Sequence, residues 1–377
     1  MALFKLKIQP IDPLISRDSR PFGQGQGRKV RSLNWLTPST VCGALRTRIG
    51  KIYGNFDDVE KLKSIKVRGP FLQYENTLYF PRPLDFVADK EKRYAVRPQE
   101  WKAGGTEMPL KLIPASIQDP PEQDFKPEPL PEFWSAAEMK SWLTSPGSFS
   151  LSDLKGLHGP KKDERIHVGI DPATGASEDS LLFSTTGLDF RIKAGIDSVH
   201  ETNILQLNIA LEAESPPEYD ECFSGLSSLH PIGGERRLAD WKAETENIEG
   251  WDSPQVPEGA LRFRMVLATP AIFSKGWLPG WIESDLCGTP VQGTGIRIRL
   301  VSAVTGRWEP ISGWSYEKRK RGIKPLRRMV PAGSVYFFES VGKIPSGFDW
   351  QELWLQSVCD EKQDRNDGFG LALWGIW

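Results

Sequence analysis

Alternating apolar and polar residues open the chain and predict a half-buried strand over 3–9. A loop over 12–36, rich in Arg and Gly, follows. Thr37 and Pro38 then form a helix-start signal, and Gly54 is a stop signal. Between them, apolar residues recur at helical spacing and predict one buried face, made of Val41, Leu45, Ile49 and Ile52.

The rest of the chain is predominantly strand-like. A hairpin is predicted over 65–81, with its turn at Glu75-Asn76, and strand-like runs are predicted in 165–175, 180–192, 205–214, 260–270, 295–304, 334–340 and 368–377. Helices are predicted over 132–143, over 276–286, over 349–356 and from Ser215, the last with an apolar stripe that reaches Leu229. Prolines interrupt 84–165, which reads as an insertion carried at the surface.

Each half of the chain can be written as strand, helix, two strands, helix, strand, which is the order of the ferredoxin-like fold. We therefore predict an α+β protein of two ferredoxin-like (RRM-like) domains, over 1–258 and 259–377, with the insertion in the first. No apolar run approaches the ~20 residues that span a bilayer, and the first residues do not resemble a signal peptide. The four cysteines are far apart, so we expect no disulfide framework and a cytoplasmic location.

The formal net charge of −1 conceals two basic segments. Residues 1–50 hold nine Lys and Arg against two Asp, a local net charge of +7, and 317–328 hold seven Lys and Arg against one Glu, a local net charge of +6. In the first segment, arginines alternate with glycines that allow close backbone approach to phosphates. Guanidinium groups bind phosphate oxygens and stack on bases, so both segments suit single-stranded nucleic acid. The candidate RNA-binding residues are Arg17, Arg20, Arg28, Lys29, Arg31, Lys318, Arg319, Lys320, Arg321, Lys324, Arg327 and Arg328.

Signatures of catalysis and of cofactor binding are missing from the sequence, which holds no phosphate-binding loop, dinucleotide fingerprint, HExxH or GxSxG. We therefore expect neither a cofactor nor a metal. Metal-free cleavage of RNA needs only a general acid, a general base and cations, so a single histidine near basic residues could suffice. His167, in the segment ERIHVGID, is the best candidate for such chemistry. A single histidine in a strand is more often a structural residue.

Six segments in order carry a family resemblance: RDSRPFG (17–23), PSTVCGALRT (38–47), RIHVGID (165–171), PIGGERRLADW (231–241), GWSYEKRKRGIKPLRRMVPAGSVYFFE (313–339) and GFGLALWG (368–375). Together they resemble the RAMP superfamily of CRISPR proteins, and within it the third subunit of the Cmr complex, the type III-B RNA-guided effector. The resemblance runs from residue 3 to residue 377 and leaves out only the insertion.

The resemblance implies a non-catalytic structural subunit. Such a subunit holds the repeat-derived 5′ tag of the CRISPR RNA and docks against the large polymerase/cyclase-like subunit, beside the backbone RAMP subunits that cleave the target. It implies tag-facing roles for the two arginines of the RDSRPF loop, for Arg46, for Arg236 and Arg237, and for the loop from 313 to 333. Ser19 replaces the Gly of the usual RDGRPF, which would be strained if the position needs positive φ. Homologues use a protruding hairpin to interrupt the guide–target duplex, and 165–186 is the candidate for it here.

Two other functions stay open at this stage. One is a metal-independent endoribonuclease that processes precursor CRISPR RNA through His167, as some other RAMP proteins do. The other is a protein scaffold whose basic loops bind an acidic partner.

Overall fold

The structure is a computed structural model of the 377-residue chain. It describes residues 1–17, 28–30, 32–54, 56, 58–90, 92–99, 112–120, 125–144, 156–193, 204–224, 226–257, 259–315, 321–342, 344–345 and 347–377. For 28–30, 178–181 and 193 only the backbone is described.

Strands outnumber helices in the described chain. The helices are α1 (Pro38–Tyr53), α2 (Val59–Lys63), α3 (Ala136–Thr144), α4 (Asp220–Ser224) and α5 (Lys362–Asp367). The strands are β1 (Ala2–Pro10), β2 (Arg28–Val30), β3 (Lys66–Tyr74), β4 (Thr77–Pro81), β5 (Phe86–Ala88), β6 (Arg93–Pro98), β7 (Ala115–Ile117), β8 (Phe133–Ser135), β9 (Gly156–Leu157), β10 (Lys161–Ile170), β11 (Ser177–Asp189), β12 (Arg191–Lys193), β13 (Ile204–Gln206), β14 (Asn208–Ser215), β15 (Ser227–Pro231), β16 (Leu238–Ala243), β17 (Arg262–Leu267), β18 (Cys287–Gly288), β19 (Ile298–Val304), β20 (Glu309–Ile311), β21 (Trp314–Ser315), β22 (Gly322–Ile323), β23 (Arg327–Met329), β24 (Val335–Ser340), β25 (Gln356–Ser357) and β26 (Leu371–Ile376). The predicted α+β class is confirmed.

The chain divides into two compact units, each built from three segments. The first unit comprises 1–65, 159–245 and 310–327, and the second comprises 66–158, 246–309 and 328–377. Both units draw on residues from either side of position 258, whereas the sequence predicts contiguous domains that meet there. The difference arises because periodicity reports local structure and carries no information about which distant segments pack together.

The first unit is organised around β1. Strands β15, β16, β1 and β14 lie side by side in this order and pair antiparallel. Leu6 and Ile8 of β1 lie opposite Leu211 and Ile209 of β14, and all four side chains are buried. This is the predicted alternation, with its apolar face turned to the core.

Helix α1 matches its predicted bounds. Thr37 precedes it with extended backbone (φ −74°, ψ 147°), and Gly54 ends it in the left-handed region (φ 77°). Val41, Leu45 and Ile49 are buried as predicted, but Ile52 is 41% exposed, so the buried face ends one turn early.

The helix predicted from Ser215 is short. A 3-10 turn over Pro217–Tyr219 continues into α4, which ends at Ser224. Leu229 lies beyond it in β15 and is 61% exposed, so its predicted place on a helical stripe is wrong. No helix among the described residues is long and apolar enough to cross a membrane.

The second unit contains a six-stranded sheet in the order β18-β19-β24-β17-β26-β25, with antiparallel neighbours. The helix predicted over 276–286 is absent, and turns and short bridges fill this fully described segment. Gly276 (φ 77°) and Leu286 (φ 66°) take left-handed backbone at its two ends. Only a 3-10 turn, Trp350–Glu352, forms within the helix predicted over 349–356.

The predicted surface insertion is in large part a core of the second unit. Its described residues form β5 to β9 and α3, and Phe86, Trp134 and Trp142 are almost completely buried. The Phe86 ring makes edge contacts with Trp134 at 4.8 Å and with Trp142 at 5.3 Å between centroids. Prolines interrupt the periodicity of this segment, but its aromatic residues still bury enough apolar surface to build a core.

A buried ionic cluster lies beside these rings. Asp85 Oδ2 accepts from Arg97 Nη1 at 2.6 Å and from Arg264 Nη1 at 2.5 Å, and its Oδ1 accepts from the Trp142 indole N–H at 3.0 Å. Arg264 also donates to the carbonyl of Trp142. The guanidinium groups of Arg264 and Arg97 lie over the Trp142 ring, at 4.6 and 5.0 Å from its centre respectively. Burial lowers the pKa of Arg264 to about 10, opposed by the charge of Asp85, so the group stays charged at neutral pH.

Candidate nucleic-acid interface

The arginine-rich loop is closed at its base by backbone pairing. Leu14 and Leu188 exchange hydrogen bonds of 2.9 and 2.7 Å, and the N–H of Leu33 donates to the carbonyl of Ser16 at 2.7 Å. Arg17 then bridges to Ser32. Residues 14–17 and 32–33 thus hold the two ends of the loop together, and Arg17 is exposed at this base. Arg20 and Arg31 lie outside the described residues.

The loop is also tied to the longest hairpin of the first unit. Strand β2, which carries Arg28 and Lys29, pairs parallel with β11, so that Arg28 lies opposite Phe183 and Lys29 opposite Ser184. Strand β11 pairs in turn with β10. The order β10-β11-β2 places the returning end of the arginine loop alongside the predicted hairpin.

The GGERR segment packs against the base of the loop. The N–H of Gly234 donates to the carbonyl of Ile15 at 2.8 Å, and a Cβ on Gly233 (φ 75°) would lie 2.6 Å from that oxygen. Glu235 and Arg236 both take left-handed backbone, with φ of 56° and 53°. Non-glycine residues rarely hold this conformation, and it often marks functional loops. Arg236 is exposed.

Arg237 and Arg46 differ from Arg236 in that their guanidinium groups bind parts of the chain itself. Arg237 Nη2 lies 2.9 Å from Glu235 Oε2. Arg46 Nη2 donates to the carbonyls of Lys63 at 3.0 Å and Ile65 at 2.7 Å, and so fixes the end of α2 to α1. The structure therefore gives Arg46 an anchoring role that the sequence did not predict.

The late basic run lies partly on a small hairpin, β21 and β22. Trp314 pairs with Ile323, the N–H of Lys324 donates to Gly313 at 2.9 Å, and the Ser312 hydroxyl donates to the Lys324 carbonyl at 2.6 Å. Arg321 and Lys324 are exposed. Lys318, Arg319 and Lys320 lie outside the described residues.

The last two basic residues of the run follow this hairpin. Arg327 is half-buried and is the final residue of the first unit. Arg328 begins the last segment of the second unit, where its guanidinium lies 4.8 Å from the centre of the Trp308 ring.

One compact unit contains most of the predicted basic site. The base of the arginine loop, strand β2, Arg46, the GGERR segment and the late hairpin all belong to the first unit. In the sequence these elements lie up to about 300 residues apart, and no periodicity predicts that they share a unit. Only Arg328 of the predicted site residues falls in the second unit.

Trp314 is an exposed aromatic residue that the sequence analysis did not single out. Its side chain is 50% exposed, directly before the basic run. The signal that could have found it is this position, because aromatic residues interleaved with Lys and Arg are typical of single-strand binding surfaces.

The hairpin of β10 and β11 matches the predicted 165–186 element. It extends over Lys161–Ile170 and Ser177–Asp189, and its aliphatic side chains are exposed: Ile166 at 76%, Val168 at 49%, Ile170 at 62% and Leu182 at 55%. Strands that pack on a core bury one face, and this hairpin leaves most of β10 in solvent. Its aliphatic side chains therefore remain accessible to solvent.

His167 lies on this hairpin, where two neighbouring side chains contact its ring. Its ring stacks on Phe183 at 5.1 Å, and its Nε2 lies 2.8 Å from the buried Thr185 hydroxyl. A second histidine, His230, is buried near the end of α1, and its pKa is lowered by burial and by the charges of Lys51 and Arg48. Among the described residues, no group of His, Cys, Asp and Glu side chains could hold a metal ion.

The sequence matches the family described as CRISPR-associated protein (Cas_Cmr3) over residues 6–377. The chain belongs to this family. The resemblance to the third Cmr subunit that the motifs indicate is thus confirmed, and the chain is a type III CRISPR effector subunit. No curated protein matches the sequence.

Solved structures of type III assemblies contain similar chains. A chain in the cryo-EM structure of the type III-B Cmr-beta bound to cognate target RNA and AMPPnP has a TM-score of 0.50, at 14% identity over 88% of this chain and 86% of that one. A second Cmr-beta structure, bound to cognate target RNA, gives a TM-score of 0.49, at the same identity and coverage. The Csm3-Csm4 subcomplex of the type III-A interference complex gives 0.37, at 11% identity over 90% and 94%. At 14% identity the first likeness concerns the fold alone.

Proposed function

We propose that this chain is the non-catalytic subunit that holds the 5′ tag of the CRISPR RNA in a type III-B effector complex. The observation that carries the proposal is the assembly of the arginine-loop base, the GGERR segment and the late basic hairpin in one compact unit. The Cmr-beta structure of similar fold is bound to target RNA, which supports RNA and the other Cmr subunits as partners. Docking to the large polymerase/cyclase-like subunit and a cytoplasmic location are parts of the same proposal.

The proposed binding is mainly electrostatic. A single-stranded tag exposes phosphates, which arginine guanidinium groups and loop amides bind, and leaves its bases free to be stacked or read at their edges. Each phosphate contact releases counterions, so log K should fall by about 0.7 per contact for each tenfold rise in salt. Arg17, Arg236 and Arg321 are exposed, so the folded protein holds these charges in water without a desolvation penalty.

The hairpin of β10 and β11 has a separate proposed role in interrupting the guide–target duplex. Ile166, Val168 and Leu182 project apolar side chains into solvent at the place where β2 brings in the arginine loop. Apolar wedges of this kind separate stacked bases when they insert between them. The hairpin would thus mark the end of the tag and the start of the pairing region.

Ferredoxin-like architecture is proposed for both halves. In the second unit the central strands follow the order β19-β24-β17-β26, which corresponds to second, third, first and fourth strand along the chain. This is the strand order of that fold, although no helix connects β17 to β19. In the first unit, β16-β1-β14 supplies the matching fourth, first and third strands.

Charge reversal tests the proposal. In the full chain, Arg17, Arg236, Arg321 and Lys324 are changed together to Glu, and Lys362→Glu, an exposed lysine on α5 of the second unit, is the matched control. We expect the fourfold variant to lose guide RNA from the assembled complex and to flatten the salt dependence of RNA binding by about 0.7 per lost contact. The control should bind as the unchanged protein does. Equal affinity of all three proteins at ~0.15 M salt would contradict the proposal.

The nuclease alternative is separated by a second measurement. His167 bonds to Thr185 and stacks on Phe183, which is the arrangement of a structural histidine. We expect no specific cleavage of repeat RNA by the purified protein in EDTA. A product that forms in EDTA and disappears with His167→Ala would establish the nuclease and contradict the non-catalytic role.

A further inference from the structure

Trp314 is the most exposed tryptophan among those that the structure describes. Trp277, Trp308 and Trp314 are 37%, 46% and 50% exposed, and the remaining described tryptophans are more buried. Trp308 has a partner, because Arg328 stacks over its ring at 4.8 Å. No ring or guanidinium group of the described residues stacks on the Trp314 indole. Tryptophan is enriched at interfaces, because its ring offers a large apolar face together with a polar N–H.

The hairpin around Trp314 fixes the backbone that carries the ring. Trp314 lies directly across the ladder from Ile323, and the hydrogen bonds of Lys324 to Gly313 and of Ser312 to Lys324 close the ladder on the next positions. Residues opposite each other in an antiparallel pair present their side chains on the same face. The backbone that carries the indole therefore has a defined position before any ligand binds, which lowers the entropy cost of binding.

Two cations lie close to this position. Arg321 and Lys324, on either side of β22, are both exposed. A partner that contacts the indole must therefore also tolerate a concentration of cations. Nucleic acid does so, because it presents flat bases for stacking next to phosphates for the cations.

We propose that Trp314 is a base-stacking residue that binds a nucleobase of single-stranded RNA, while Arg321 and Lys324 bind the neighbouring phosphates. This inference rests on the proposed RNA-binding function and adds to it a contact that does not depend on charge. Stacking and phosphate binding differ in their response to salt, since only the phosphate contacts release counterions. That difference allows the two to be measured separately.

The experiment measures binding of the full chain to two short strands of equal length by fluorescence anisotropy. One strand is oligouridine, and the other is an abasic ribose-phosphate strand with the same number of phosphates. The variants are Trp314→Ala and Trp314→Phe. The matched control is Trp277→Ala, whose contact with the Tyr336 hydroxyl is made by the backbone carbonyl and survives the substitution.

We expect Trp314→Ala to weaken binding of oligouridine by roughly 5- to 150-fold at every salt concentration. Trp314→Phe should keep most of the affinity, because it keeps a ring. On the abasic strand all four proteins should bind equally, and the salt slope should be the same for both strands. Trp277→Ala should match the unchanged protein throughout.

Other results would overturn the inference. Unchanged affinity of Trp314→Ala for oligouridine would do so, and so would an equal loss on both strands, which would indicate an effect on the phosphate contacts. Unchanged RNA binding together with lost assembly with the large subunit would assign Trp314 to a protein contact instead.

A pair of charge changes keeps this failure separate from that of the proposed function. If Arg321→Glu with Lys324→Glu weakens binding and Trp314→Ala does not, the RNA-binding function stands and the stacking role is wrong. If neither changes binding, the stacking role of Trp314 and the phosphate contacts of Arg321 and Lys324 are both wrong, and the fourfold variant decides whether the RNA-binding function stands.

Discussion

Removal of the Asp85 carboxylate is expected to destabilise the second unit more than any surface change. Asp85 binds the guanidinium groups of Arg97 and Arg264, whose side chains are 9% and 0% exposed. Asp85→Ala therefore leaves two buried positive charges facing each other, without the carboxylate that both bind. Breaking a single buried pair costs about 3–5 kcal/mol, and because one carboxylate binds two cations here, we expect the upper part of that range.

Urea unfolding of the full chain, followed by circular dichroism, measures this loss. A loss of this size is a large share of the ~5–15 kcal/mol that stabilises a typical protein, so the Ala variant needs a milder companion. Asp85→Asn keeps an acceptor oxygen and should lose less stability. Glu283→Ala is the control, because it breaks the pair with Arg297 at 2.8 Å between side chains that are 60% and 44% exposed, and such pairs contribute ~0–1 kcal/mol. Equal effects of Asp85→Ala and Glu283→Ala would refute the view that the carboxylate compensates the buried cations.

Three further outcomes are expected. Gly233→Ala should lower the melting temperature and weaken RNA binding, because its Cβ would lie 2.6 Å from the Ile15 carbonyl oxygen. Gly175 is also at positive φ but has open space around it, so Gly175→Ala should cost only the backbone strain of about 1–2 kcal/mol; equal effects of the two would contradict this. Because the folded-state pKa of His230 is lowered below its ordinary value of 6.5, the unfolded chain binds a proton more readily, so the free energy of unfolding should fall as pH drops below ~6.5 and His230→Gln should flatten that slope. All four cysteines are buried and burial raises the pKa of Cys359 to about 12, so the folded protein should not react with Ellman's reagent at a pH of ~8, and rapid labelling without denaturant would contradict the structure.

Local elements were the part of the fold that the sequence predicted well. The strand over 3–9, the helix that ends at Gly54 and the hairpin over 65–81 each carry a clear period with start and stop signals, and each is confirmed. The helix predicted over 276–286 is wrong, because the apolar residues that recur there lie in a series of turns and short bridges. Spacing alone does not separate a helical face from a run of turns.

Two features could not be predicted from the sequence: the core that the insertion forms, and the presence of the basic segments in one unit. Both depend on contacts between residues that are far apart in the sequence. Trp134 and Trp142 lie among prolines, so their spacing gives no period, and their burial depends on Phe86 some 50 residues earlier. The family resemblance implies a tag-facing role for Arg46, and the structure shows its guanidinium bound to two backbone carbonyls of the following segment. Charge identifies a candidate residue, and only the geometry assigns its partner.

The three-segment construction of each unit has a consequence for how the chain is made. The first unit is incomplete until residues 310–327 have been synthesised, and the second until 328–377 have been, so neither can finish folding when the ribosome has made only the first 309 residues. Contacts between residues so far apart in sequence slow folding and leave apolar surface uncovered for longer. Production of this protein should therefore depend on chaperones and on slow expression at low temperature, and fragments cut at position 258 should aggregate.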